Sequence, residues 1–227
     1  MAKQTIIIDE SLLKVNQHCI VLSSPIPLQT LSSAICGAGA GMYTHFINRH
    51  VSKDYKCINH KKDMEDFITS LGYNVDETIG MMTAVNTENV SFKLYNTETF
   101  SFLIVVTAGV GNAVDATKAH TITRYGDYIG TINTWIFING KLSKEAFVQS
   151  VMTATEAKTK VLSDLQISDA QSNTIATGTS TDSILIAATQ SGANLPYAGT
   201  ATPLGKLIGK AIYHETKRAI LNGSTRK

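Results

Sequence analysis

Residues 129–165 read IGTINTWIFINGKLSKEAFVQSVMTATEAKTKVLSDL, and the change of hydrophobic period inside this stretch sets the fold class. Ile129 to Ile138 is a compact run of β-branched and aromatic residues, the composition of a buried strand, and Asn139 and Gly140 close it. Ser143 then offers an N-cap, with Leu142 and Phe147 placed as a hydrophobic staple. A long helix follows to about Leu165. Its apolar stripe runs Phe147, Val151, Ala154, Val161, Leu162 and Leu165. Lys158 falls inside that stripe and Glu156 on the opposite side. A lysine so placed either snorkels at a domain edge or is a desolvated amine that stabilises negative charge in a cleft.

Downstream, Thr174 to Thr179 and Ser183 to Ala188 read as a strand pair. The last helix opens at Thr202 with Pro203 at its first position and closes at Asn222 and Gly223. Upstream, Cys19 to Leu22 and Phe100 to Val106 read as buried strands. Ile79 to Ala84 and Val90 to Tyr95 read as two more, joined by a turn around Asn86 to Asn89. Between them Met64, Phe67, Ile68 and Leu71 repeat at helical spacing, with Gly72 as the stop. The fold class is therefore α+β (α/β), one domain over residues 1–227, with a mixed sheet covered by the Ser143 and Pro203 helices. The order of elements also suits stacked sheets in α/β/β/α layers.

With 43% hydrophobic and 17% charged residues and a net charge of +2, the composition is that of an ordinary globular enzyme and carries no run of the kind that coats nucleic acid. Cys19, Cys36 and Cys57 are odd in number and form no CxxC pair, which fits a reducing compartment. The opening MAKQTIII lacks the long apolar region of a secretory signal, and Phe100 to Val106 is far too short to span a bilayer, so a cytoplasmic protein without a membrane partner is expected. Cys57 and His60 are the nearest approach to a metal-ligand pair, and no second pair completes a zinc site. Gly109 and Gly111 begin a dinucleotide fingerprint that Val114 breaks. No G-x-S-x-G elbow exists, and Cys36 reads as a small buried residue.

What remains is a set of small-residue, hydroxyl-rich segments: TAGVGNA at Thr107 to Ala113, GTIN at Gly130 to Asn133, TATEAK at Thr153 to Lys158 and ATGTSTDS at Ala176 to Ser183. TAGVGNA follows a buried strand and could open a short helix, so the backbone N–H groups of Gly109, Gly111 and Asn112 could bind an oxyanion. Asp182, flanked by Thr179, Ser180, Thr181 and Ser183, could activate a water as general base; equally, it could cap local backbone N–H groups. Asn133 and Glu156 are candidates through the segments that carry them.

VTAGVGNA, GTIN, TATEAK, ATGTSTDS and YAGTATPLGKLIG, in this order and at this spacing, resemble the adenosylcobinamide amidohydrolases of the CbiZ type. SSAICGAGAG, beginning at Ser32, and MMTA at Met81 to Ala84 add to the match, which covers about Leu31 to Glu215. The resemblance implies a corrinoid salvage enzyme that hydrolyses the amide joining the aminopropanol arm to a propionyl side chain of the corrin ring. It implies a small-molecule corrinoid substrate and no cofactor of the protein's own, since the cobalt belongs to the substrate. One departure stands out: Ala201 occupies a position where many members of the family carry a histidine.

Within that chemistry Asp182 is the candidate base. Lys158 and Thr181 are candidates to serve the leaving group. Gly109, Gly111, Asn112, Asn133, Glu156 and Thr179 are the candidate substrate contacts. A non-catalytic corrinoid binder and an amide hydrolase of other specificity remain as rival readings, and a homo-oligomer is compatible with either.

Overall fold

The computed structural model describes residues 6–121 and 130–224; Ile129, expected to begin a strand, lies outside the described residues. The strands are β1 (Leu13–Val15), β2 (Cys19–Ser32), β3 (Gly39–His50), β4 (Thr78–Thr83), β5 (Ser91–Asn96), β6 (Ser101–Ala108), β7 (Ala113–Val114), β8 (Ile132–Asn139), β9 (Lys141–Leu142), β10 (Gly178–Thr179), β11 (Ser183–Ala188) and β12 (Asn194–Leu195). Three α-helices are described: α1 (His60–Ser70), α2 (Lys144–Asp164) and α3 (Pro203–Ser224). The main sheet is mixed, in the order β4-β3-β2-β11-β8-β6-β5, with β1 paired to β2. The expected α+β class holds.

The sheet does not lie open. Pro25 and Pro27 interrupt β2, and its register against β3 shifts between Ser23 and Leu28, because proline donates nothing to a ladder and bends the strand at that point. The β2-β3-β4 half consequently folds over the face of the β11-β8-β6 half. The rings of Phe46 on β3 and Phe137 on β8 meet edge-on at 4.9 Å, although β2 and β11 separate their strands in the sheet. Ile20, Leu22, Phe46 and Met81 from one half pack with Leu103, Val105, Trp135 and Leu185 from the other.

The alternate residues of each half face helices. Phe102, Ile104, Ile136, Ile138 and Ile186 pack on α2 and α3, while Val21 and Ile47 pack on Met64 and Ile68 of α1. The result is α/β/β/α layering from a single folded sheet. Each fully buried large aliphatic or aromatic side chain here contributes about 1.5–3 kcal/mol relative to exposure.

The helix-start signals hold in detail, while α3 runs through Asn222 and Gly223 to Ser224. Ser143 Oγ accepts from the Ala146 N–H at 3.1 Å, Leu142 and Phe147 are both buried in the core under α2, and Thr202 Oγ1 caps α3 by accepting from Gly205 N at 3.1 Å. β4 and β5 are joined through a turn at Thr87–Asn89, as expected, and lie at opposite edges of the sheet. One strand expectation needs correction: Thr174 to Thr179 is not the partner of β11. Only Gly178–Thr179 is strand, and it pairs with β7, because the backbone of Thr177 is taken by Val114 O and by the Thr159 hydroxyl. β11 instead runs parallel to β8 and antiparallel to β2, at the centre of the sheet.

Candidate active site

The hydroxyl-rich segments meet at one end of the sheet. There the parallel pair β8 and β11 begins, with Asn133 opposite Ser183, and β6 ends, with Thr107 opposite Asn133. The carboxyl ends of β3 and β4 arrive at the same place: Asn133 Nδ2 donates to Asn48 Oδ1 at 2.9 Å and to Met82 O at 2.8 Å, and Asn48 Nδ2 donates to Thr107 Oγ1 at 3.0 Å. This polar knot is buried between the two halves of the sheet. Every amide in it has a partner, as burial demands.

On the helix-covered side, Asp182 accepts from four donors. Its Oδ1 takes the Ile132 N–H at 3.0 Å and the Thr179 hydroxyl, and its Oδ2 takes the Thr179 N–H at 3.1 Å and the Lys158 ammonium. A carboxylate offers about four lone-pair sites, so this one is fully engaged. Gly178 makes the arrangement fit: a Cβ there would stand 2.8 Å from Asp182 Oδ2 and 3.0 Å from Lys158 Nζ. Lys158 and Asp182, with Thr155 and Thr134, line a small cavity of about 140 Å³ between α2 and the sheet.

The loop after β6 supports both sides. Asn112 Nδ2 donates to Ser180 Oγ at 2.7 Å, and Ser180 N donates to Asn112 O at 3.3 Å. Gly130 lies so close to this loop that a Cβ would sit 2.5 Å from Gly109 O, 2.6 Å from Asn112 Oδ1 and 2.8 Å from Gly111 N. The expected helix start is absent. Gly109 N donates to Thr131 O, Ala113 N closes a turn on Val110 O, and the chain passes into β7, so no helix N-terminus is available to bind an anion.

On the other side of the β8 and β11 starts opens a larger cleft of about 470 Å³. Ile35, Val51, Met81 and Met82 make it apolar; Gly130, Thr131, Thr181 and Ser183 form a hydroxyl-rich rim, and Tyr55 and His60 form the opposite wall. Thr131 Oγ1 donates to Thr181 O at 2.8 Å and Thr181 Oγ1 to Gly130 O at 3.0 Å, which ties the rim together. Tyr55 donates to the Asp63 carboxylate, which Arg49 also binds at 2.7 Å. The Tyr55 hydrogen bond, seconded by the Arg49 guanidinium, holds Asp63 below the usual carboxylate range, and burial pushes the phenol of Tyr55 well above its own.

Of the residues singled out in the sequence, Asp182, Lys158 and Thr179 come together on the helix side, Thr181 lines the cleft, Asn133 is buried in the polar knot, and Gly109, Gly111 and Asn112 stand in the loop beside them. Glu156 stands apart, exposed on α2. Ala201 lies in the exposed turn before α3 and lines neither cavity. Cys36 is buried, and burial pushes its thiol up to about 11, which fits its reading as a packing residue. The sequence reading passes over Asn48 and Tyr55, and it weighs His60 only as a partner of Cys57 in a metal pair. Asn48 had a signal, a polar residue at an inward position directly after Phe46 and Ile47, but its partner is remote in sequence.

The profile of the CbiZ family, described as adenosylcobinamide amidohydrolase, matches residues 4–227. The chain is 26% identical over 181 residues to the uncharacterized ABC transporter ATP-binding protein YvrA of Bacillus subtilis, covering 80% of this chain and 32% of that protein, so it spans about a third of that relative's length. It is 25% identical over 183 residues to the uncharacterized protein MJ1613 of Methanocaldococcus jannaschii, covering 73% of this chain and 71% of that one. It is 28% identical over 152 residues to the adenosylcobinamide amidohydrolase of Methanosarcina mazei, covering 63% and 66%. A family match over residues 4–227, nearly the whole chain, shows that the chain belongs to the CbiZ family of adenosylcobinamide amidohydrolases.

Proposed function

We propose that this chain hydrolyses the amide that joins aminopropanol to the corrin side chain of adenosylcobinamide, releasing adenosylcobyric acid and 1-amino-2-propanol. The observation that carries the reading is the convergence of segments from residues 107–113, 130–133 and 178–183 on one cleft with apolar residues inside and hydroxyls at its rim. A corrin edge is apolar with amide-bearing arms, and such a cleft offers a dry surface for the first and hydrogen bonds for the second.

Amide hydrolysis needs an activated water, donors for the carbonyl oxygen as it gains charge, and a proton for the departing nitrogen. In this reading Thr181 and the backbone from Gly130 face the side-chain amide. Gly109, Gly111 and Asn112 hold that backbone from behind, and Asn133 locks the strand start from which it rises. Asp182, already engaged by four donors, acts with Thr179 and Lys158 as the brace of the 178–183 loop. Glu156 takes no part. Free thiols at Cys19, Cys36 and Cys57 suit work in the cytoplasm.

The test is direct. Purified protein incubated with adenosylcobinamide should yield adenosylcobyric acid, resolved chromatographically, together with one equivalent of 1-amino-2-propanol. Corrinoid binding without product would leave a binding protein; neither binding nor product would remove the corrinoid reading.

A further inference from the structure

An amide does not expel its nitrogen as an anion at neutral pH, so some group must deliver a proton to it as the C–N bond breaks. The cleft's own lining narrows the choice. Its hydroxyls, those of Ser33, Thr83, Thr131, Thr181 and Ser183, relay protons but hold none in reserve near pH 7. The ammonium of Lys158 is bound to Asp182 on the opposite side of the strands. Two ionisable rings remain among the described lining residues, Tyr55 and His60. Tyr55 has given its hydroxyl proton to a hydrogen bond with Asp63, and burial holds the phenol protonated far above neutral pH.

His60 is placed differently. It is the first residue of α1, 5.5 Å from the Tyr55 ring between centroids, and it is exposed to the cleft. Among the described residues neither of its ring nitrogens is engaged in a hydrogen bond, whereas His45 is paired with Ser23 and His50 with Val85 O. The element beneath it is rigid: Asn59 caps α1 by accepting from Lys62 N at 3.0 Å, Met64 and Ile68 are fully buried against the sheet, and Arg49 clamps Asp63. An imidazole free of hydrogen bonds, with the Asp63 carboxylate close enough for their charges to interact, is thus presented from a fixed helix to the cleft that Thr131 and Thr181 also line.

We propose that His60 is the acid–base group of this cleft, an inference that rests on the amidohydrolase reading of the same site. The neutral imidazole takes a proton from water as the water oxygen bonds to the carbonyl carbon. The imidazolium then returns that proton to the nitrogen as the C–N bond breaks. One water is consumed, the acid and the amine are released, and His60 ends neutral as it began. Imidazole suits the task because one ring nitrogen can accept a proton and later return it.

The experiment compares wild type, His60→Gln and His60→Ala on adenosylcobinamide, with kcat, corrinoid affinity by absorbance titration, and Tm measured on each. Expected are a fall in kcat of roughly 10²- to 10⁴-fold, little change in affinity or Tm, and loss of the acid limb of the wild-type pH–rate profile. Added imidazole should restore part of the rate in His60→Ala and none in wild type. An active wild type whose His60→Gln form keeps its kcat and pH profile overturns the inference and leaves the amidohydrolase reading standing. A variant that loses affinity at unchanged kcat overturns it too, making His60 a binding residue. An inactive wild type removes both.

Discussion

Lys158 of α2 and Asp182, the residue before β11, form an ion pair across the gap between helix and sheet, with side chains only 15% and 18% exposed. The pair closes over Gly178 and reaches the start of β8 through the Ile132 N–H, so it binds together the helix, the 178–183 loop and both parallel strands. Removing one partner leaves the other's charge poorly solvated. Lys158→Met and Asp182→Asn are each expected to lower stability by about 1–3 kcal/mol, with the double variant losing much less than the sum. Denaturant unfolding of the four proteins measures this directly. Equal additivity would show that the two charges do not depend on each other.

Gly130→Ala tests the close approach at the rim of the cleft. A Cβ at 2.5 Å from Gly109 O and 2.8 Å from Gly111 N meets backbone on both sides and cannot be relieved by a rotamer change. The two loops must separate, at about 1–3 kcal/mol of overpacking strain. The expected outcome is a folded protein with a lower Tm and turnover reduced at least tenfold. Unchanged turnover would mean that the spacing of these loops does not matter to the reaction.

Asn48→Leu removes the amide that joins β3 to Asn133 and Thr107. Asn133 Nδ2 keeps Met82 O, but the Thr107 hydroxyl loses its donor in a site closed to water. A loss of about 1–3 kcal/mol is expected from the broken buried hydrogen bonds, seen as a lower unfolding midpoint in denaturant. Asn48→Ser, which keeps a polar atom, should lose less. The reverse order would show that packing, rather than hydrogen bonding, dominates there.

Asp115 gives the stability an acid dependence. Its carboxylate accepts from the Thr174 hydroxyl at 2.7 Å, the Thr117 hydroxyl at 2.7 Å and the Thr117 N–H at 2.9 Å, clasping the segment around β7 to the one before β10. The Thr174 bond, followed by those from Thr117, holds its pKa below the ordinary carboxylate value. Because the folded value is depressed, the stabilisation is present above the unfolded pKa of about 3.9 and is lost as pH falls through the folded value. Unfolding midpoints measured from pH 6 down to about pH 2.5 should fall less steeply for Asp115→Asn than for wild type. Parallel curves would remove Asp115 from the acid response.

Much of this architecture was legible in local pattern. The caps at Ser143 and Thr202, the apolar runs of β6, β8 and β11, and the out-of-place Lys158 each follow from residues within a few positions of one another, where period and capping chemistry act. Pairing was less legible. Nothing near Thr174 says that its segment turns toward β7, and nothing near Val90 says that β5 lies at the far edge from β4, because both depend on contacts formed across the chain.

The sequence by itself determined the element types, the α+β class, the family and the segments that carry the site, since these rest on short-range spacing and motif order. Only the tertiary structure decided how those segments share the work. The break at Pro25 and Pro27 folds the sheet onto itself and brings Asn48 and Met82 against Asn133. Asp182, just before β11, then meets Lys158 under α2, while Thr181 lines the cleft that His60 also lines and Ser183 borders both cavities. Neighbours in ATGTSTDS thus serve two different cavities, a separation set by which layer covers each face of the sheet and not by local pattern.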